Sequence, residues 1–134
     1  MTDLHYLSIS EAGALIAKGD LSPVEYVEAL LARIEKIDPK LNAFLVVAGD
    51  QARADAKAAE AEISVGNCRG PMHGIPYGLK DLFDTAGVKT AWGAEPFVDR
   101  VPDQDATIVE KLQEAGAVLL GKTAVGALAY GDLW

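Results

Sequence analysis

Lys80 and Asp81 stand side by side at the end of a short apolar run, Ile75-Pro76-Tyr77-Gly78-Leu79, inside a glycine- and proline-rich region. A lysine in such company can act as a general base if burial keeps its amine neutral. Burial disfavours the charged form and lowers a lysine pKa from about 10.4, by up to ~3–5 units when complete. A neutral amine near physiological pH can then accept a proton. If residues 75–80 form a strand, Ile75, Tyr77 and Leu79 lie on one face, and Pro76, Gly78 and Lys80 on the other. Gly78 then leaves open space beside the amine, and Leu79, Leu82 and Phe83 are placed to desolvate it. The competing reading is a solvated lysine paired with a carboxylate, which the rarity of buried lysine favours. Asp81 either orients Lys80 or accepts local backbone amides.

A lysine base needs a hydroxyl or another nucleophile to act on. The chain has four serines: Ser8, Ser10, Ser22 and Ser64. Ser8 and Ser22 have helix-capping positions, Ser10 falls inside a helix, and Ser64 lies in a polar link. None follows Lys80, so composition and spacing leave the base without a partner. Other chemistry-bearing groups are weaker. Gly116 to Thr123 satisfies the phosphate-loop pattern G-x4-G-K-T. Its context is wrong, because a helix precedes it and the intervening residues form an apolar strand, so a buried strand with a turn is expected. His73 and Cys68 lie five residues apart, and two groups do not make a zinc site. No metal or cofactor is expected. Tyr77 reads as a packing residue with catalysis as the alternative, and Trp92 as packing over the βαβ unit with substrate contact as the alternative. Tyr130 and Asp132 are candidates for lining a substrate pocket, with an exposed tail as the alternative.

The elements that must position these residues are legible from caps and periodicity. Ser8-Ile9-Ser10-Glu11 has capping-box spacing and predicts a helix to Lys18, stopped by Gly19. Ser22-Pro23-Val24-Glu25 opens a second helix. Val24, Val27, Leu30, Leu31 and Ile34 form its buried face, and Asp38-Pro39 is expected to end it. Ala43–Ala48 is a short strand. Gln51–Glu62, alanine-rich with alternating charge, predicts a largely exposed helix. The composition shifts at Gly66. Ile75–Lys80 is a strand, followed by a long irregular stretch from Asp84 to about Gln104; such loops are usually functional or disordered. Asp105 is expected to cap a helix over 106–115, with Ile108, Val109, Leu112 and Ala115 inward and Gly116 at its end. Ala117–Gly121 reads as a strand buried on both faces of a parallel sheet, which completes a βαβ unit.

At 134 residues the chain suits one domain. Half the residues are hydrophobic and 24% are charged, which indicates a globular rather than a disordered chain. The net charge of −8 argues against direct contact with nucleic acid or an anionic membrane. The N-terminus has no secretory pattern, and one cysteine cannot form an internal disulfide, so a cytoplasmic setting is expected.

Several ordered motifs together resemble the amidase signature family. These are "GPMHGIPYGLKDLFDTAGVKTAWGA", then "VPDQDATIVEKLQEAGAVLLGKT", then "LAYG". They supply a G-x-P-x-x-x-K-D segment, a T-x-x-G loop, a D-A-x-x-V-x-x-L-x-x-A-G-A helix-to-strand segment and a G-K-T turn, over roughly Gly70 to Gly131. The resemblance implies an α/β fold, a mixed sheet flanked by helices, of which residues 1–134 are an N-terminal part: 1–65 with the leading helices and one short strand, 66–134 with the βαβ segment. It implies hydrolysis of carbon–nitrogen amide bonds by a Ser–Ser–Lys triad. Lys80 would be the catalytic lysine, and the two serines would lie downstream of Trp134. Such a chain alone is expected to be inactive. Its substrate would be a small-molecule amide, and self-association through uncovered apolar surface is expected.

Three positions depart from the family pattern: Ala94 replaces a frequent serine, and Ala124 and Ala127 stand where many members carry asparagine and glutamate. The departures favour a plain amidase of small or hydrophobic amides over the amidase subunit of a glutamine-dependent tRNA amidotransferase. A non-catalytic interaction module with the same fold is the remaining alternative.

Overall fold

The computed structural model describes residues 3–130. After a single 3-10 turn at Leu4–Tyr6, helix α1 spans Ile9–Lys18 and helix α2 spans Pro23–Leu41. Both start as their caps dictate. Ser8 and Glu11 form a reciprocal capping box, and the Ser22 hydroxyl accepts from the amides of Val24 and Glu25. Gly19 closes α1 in the left-handed conformation, as its position predicts.

Helix α2 runs through Pro39 instead of stopping at Asp38-Pro39. The proline sits in the last turn, so it removes only one hydrogen bond near an end that has other anchors. Asn42 adopts the left-handed conformation, with its amide donating to the Asp38 carbonyl. The Asp38 carboxylate accepts from the amides of Ala43, at 2.8 Å, and Phe44, at 3.2 Å, turning the chain into the next strand.

That strand, β1 (Phe44–Val47), leads into helix α3 (Gly49–Ser64). α3 is mostly exposed, but Ala52, Ala56 and Ala59 lie on one face and are buried. The alanines let it lie close against α2, where Ala52 and Ala56 join Val27, Leu31, Val118 and Leu120 in one core cluster. A second cluster gathers Ala12, Ile16, Leu21, Tyr26 and Ile75 beneath α1.

Strand β2 (Pro76–Lys80), the irregular stretch, helix α4 (Thr107–Glu114) and strand β3 (Val118–Thr123) complete the chain. β3 is central. It pairs parallel with β2 and antiparallel with β1, giving the order β1-β3-β2. The sheet is mixed, and the βαβ unit is present as expected. Two details of α4 differ from expectation. Asp105 does not cap it; its carboxylate instead accepts from the Ala86 amide at 2.6 Å, tying the irregular stretch to the helix. Of the four apolar side chains expected inward, Val109 is fully buried while Ile108 faces solvent.

Candidate active site

Lys80 is the last residue of β2, opposite Thr123 of β3. It therefore stands at the carboxyl end of a parallel strand pair, where open α/β sheets place their ligand sites. The residue is half-buried. Its surroundings differ from those expected. Leu79 is buried, but Leu82 and Phe83 are 37% and 38% exposed and face a shallow recess. The space over Gly78 is taken as well: a Cβ there would lie 3.2 Å from the Thr123 methyl and 3.5 Å from the Phe44 ring.

Asp81 accepts one backbone amide, ten residues on, through its carboxylate and does more besides. Its carboxylate is buried, with Oδ2 accepting from the Ala91 amide at 3.0 Å. Its own amide donates to Thr123 O, and its carbonyl accepts from Trp92. Oδ1 faces the ammonium of Lys122 at 3.8 Å and makes no hydrogen bond among the described residues.

Lys122 is the residue that sequence reasoning missed. The G-K-T turn is the end of β3, which continues past Gly121 to Thr123. Lys122 has no exposed surface, so the phosphate-loop reading has no geometry here. Its Nζ donates to the Phe83 carbonyl, to Thr90 Oγ1 at 2.9 Å and to Thr85 Oγ1 at 3.2 Å. Burial pushes its pKa down, while Asp81 and Asp84 push it back up. The signal was in the alternation: Lys122 is in phase with Val118 and Leu120, both buried.

A clamp around Asp84 helps to order the irregular stretch. The guanidinium of Arg100 makes a two-pronged ion pair with the Asp84 carboxylate and lies 3.9 Å from the centre of the Trp92 ring. The Trp92 indole donates to Asp84 at 3.0 Å, and Phe97 packs edge-on against the same ring. Hydrogen bonding to Arg100 holds the Asp84 carboxyl below the usual range. Trp92 thus packs within this clamp, and it also borders the shallow recess near Leu82.

The remaining candidates separate. Tyr77 is half-buried, and burial pushes its phenol up to about 12, which suits packing rather than proton transfer. It borders a cavity of about 820 Å³ shared with His73, Glu62 and Arg69. His73 is buried and Cys68 exposed, and no group of metal-binding side chains occurs among the described residues. Tyr130 is 86% exposed, and Asp132 lies outside the described residues. Each serine is engaged locally. Ser8 and Ser22 cap helices, Ser10 meets Ser8, and Ser64 donates to the Ala61 carbonyl. The arrangement offers an amine at a strand end, backed by a buried charge pair.

A mixed sheet flanked by helices, with Lys80 at the carboxyl end of its parallel pair, defines the class as an α/β fold. The chain belongs to the Amidase family, whose model matches residues 25–132. It is 46% identical over 130 residues to a subunit of the glutamyl-tRNA(Gln) amidotransferase of Anaeromyxobacter dehalogenans, covering 97% of this chain and 26% of that protein. Among solved structures it resembles the peptide amidase of Stenotrophomonas maltophilia, with a TM-score of 0.85 and 34% identity over 91% of this chain and 25% of the other. It also resembles a bacterial aryl acylamidase described as an amidase signature enzyme, with a TM-score of 0.86 and 32% identity, covering 93% and 26%. The chain spans about a quarter of the length of the curated relatives it matches.

Proposed function

We propose that this chain carries the general base of an amidase that cleaves carbon–nitrogen amide bonds, and that Lys80 is that base. Family membership together with the place of Lys80, at the end of β2 in the family's K-D motif, carries the reading. In this proposal residues 1–134 are an N-terminal part of one catalytic domain, with residues 66–134 bringing the lysine. The Lys80 amine receives the proton of a bridging serine, which in turn takes the proton of a nucleophilic serine as that hydroxyl attacks the amide carbonyl. The amine leaves with a proton returned through the same relay, and water releases the acyl group. Both serines come from sequence beyond this chain, consistent with the local engagement of all four serines here. Tyr130 and Asp132 are proposed to border the substrate, a small-molecule amide. The single cysteine is compatible with a cytoplasmic site of action.

The test uses the full-length gene product and a fluorophosphonate probe of activated serines. Lys80→Ala is expected to abolish labelling while the protein stays folded. Labelling at the wild-type rate in that variant removes Lys80 from the mechanism.

A second reading, the amidase subunit of a glutamyl-tRNA(Gln) amidotransferase, is favoured by the 46% identity to one component of such an enzyme. Ala124 and Ala127, at positions where many family members carry asparagine and glutamate, favour the plain amidase. Assays of simple amide hydrolysis and of amide transfer to glutamyl-tRNA, run on the same preparation, distinguish the two.

A further inference from the structure

A fully buried lysine outside the proposed relay asks for an explanation. Lys122 Nζ has three oxygen neighbours: the Phe83 carbonyl, Thr85 Oγ1 and Thr90 Oγ1. Each threonine hydroxyl has one proton and directs it to a backbone carbonyl, Thr85 to Phe83 and Thr90 to Val88. Both hydroxyls therefore offer Lys122 only lone pairs. Three acceptors call for three N–H donors, and only the ammonium form has three. The buried charge is balanced by Asp81 at 3.8 Å. Asp84 and Asp105 add attraction at longer range, and Arg100 opposes it.

This ammonium is connected to Lys80 by two short routes. The Phe83 carbonyl that it holds belongs to the residue whose amide donates to the Lys80 carbonyl at 3.1 Å. The Asp81 carboxylate that it faces belongs to the residue directly after Lys80, and that carboxylate also takes the Ala91 amide. Lys122 thus grips the Lys80–Phe83 turn at its middle and at its far end, and joins it to the threonines of the irregular stretch.

We propose that Lys122 is a positioning residue for Lys80: its buried ammonium locks the Lys80–Phe83 turn and thereby fixes where the base stands. The inference rests on Lys80 being the base. An apolar residue of similar length would fill the space, but it would leave Asp81 a buried charge without its counter-ion. It would also release the Phe83 carbonyl. The base would then lose its fixed placement while the substrate pocket, built from other residues, would keep its affinity.

The experiment uses the full-length gene product with three changes: Lys122→Met, the double variant Lys122→Met with Asp81→Asn, and the mild Thr85→Val. The double variant removes both buried charges and so keeps the test open if Lys122→Met alone does not fold. Hydrolysis kinetics, the fluorophosphonate labelling rate and the melting temperature are measured beside Lys80→Ala. A displaced base lowers kcat by about 10²-fold with KM little changed, in both lysine variants, and Thr85→Val shows a smaller loss of the same kind. The double variant recovers melting temperature but not kcat. A folded double variant with wild-type kcat, beside an inactive Lys80→Ala, overturns the positioning role and leaves the base assignment standing. A wild-type rate for Lys80→Ala overturns both.

Discussion

His73 shows how one buried side chain makes stability depend on pH. Its ring is packed so tightly against Gly116 that a Cβ added there would lie 2.3 Å from His73 Cδ2. Nδ1 accepts from the Arg69 amide at 3.1 Å, which fixes the proton of the neutral ring on Nε2, 3.5 Å from Glu62. Burial pushes the imidazole below the ordinary histidine value, more than Glu62 raises it, and the Arg69 guanidinium lowers it further. Protonation also gives Nδ1 a hydrogen that confronts the Arg69 N–H. Between the lowered folded value and the unfolded value of about 6.5, the unfolded chain binds more protons, so stability rises with pH there. The contribution is complete above the unfolded value and is lost as pH falls below it. Melting temperature should therefore drop as pH is lowered from about 8 to about 5. His73→Asn, whose side-chain oxygen can still accept from Arg69, should flatten that drop; an unchanged slope in the variant assigns the effect elsewhere. At this scale the sequence singled out Lys80 and Asp81 but not the burial of Lys122. A lysine inside an apolar strand is ambiguous until its acceptors are known, and Thr85 and Thr90 come from 37 and 32 residues away.

At the scale of elements, Gly121 explains how three strands meet. A Cβ there would stand 2.1 Å from the Val46 carbonyl oxygen of β1. The strand registers slip on both sides of β3 near this point, between Phe44 and Val46 and between Tyr77 and Gly78. The glycine lets β1 cross closely over a central strand whose next residue is Lys122. Gly121→Ala forces the new Cβ against the Val46 backbone, which no side-chain rotation relieves, and should cost about 3 kcal/mol or more. Urea denaturation of the variant measures this; a loss within about 0.5 kcal/mol shows that the strands separate without penalty. Most elements were legible because caps and periodicity are local: Ser8, Ser22 and Gly19 mark their helices directly. The misreadings have a common cause in contacts that periodicity does not encode. Pro39 stays helical because Asp38 and Asn42 stabilise the turn around it. Asp105 forgoes its cap because Ala86 offers an amide 19 residues away.

At the scale of the whole molecule, the two outer strands present different edges. β1 and β2 each pair only with β3 among the described residues. β2 carries Pro76, which has no N–H to donate, and ends in a lysine, two features that discourage further pairing. β1 has neither, and it exposes Leu45 and Val47 on its outward face. Leu82, Phe83, Leu128 and Tyr130 add exposed apolar surface around the other end of the sheet. Attraction between such surfaces is opposed by the net charge of −8, which acts over a screening length of about 10 Å at ~0.1 M salt. The 134-residue chain alone should therefore self-associate, and added salt should strengthen the association by screening the repulsion. If β1 is the sticky edge, Leu45→Lys with Val47→Lys should restore a monomer by placing charges along the unpaired strand. Phe83→Lys with Leu128→Lys should do so only if the recess near Leu82 is the contact. Sedimentation velocity over a range of protein and salt concentrations reads all three proteins. A single monomeric species for the unmodified chain under every condition contradicts the idea that its uncovered apolar surface drives association.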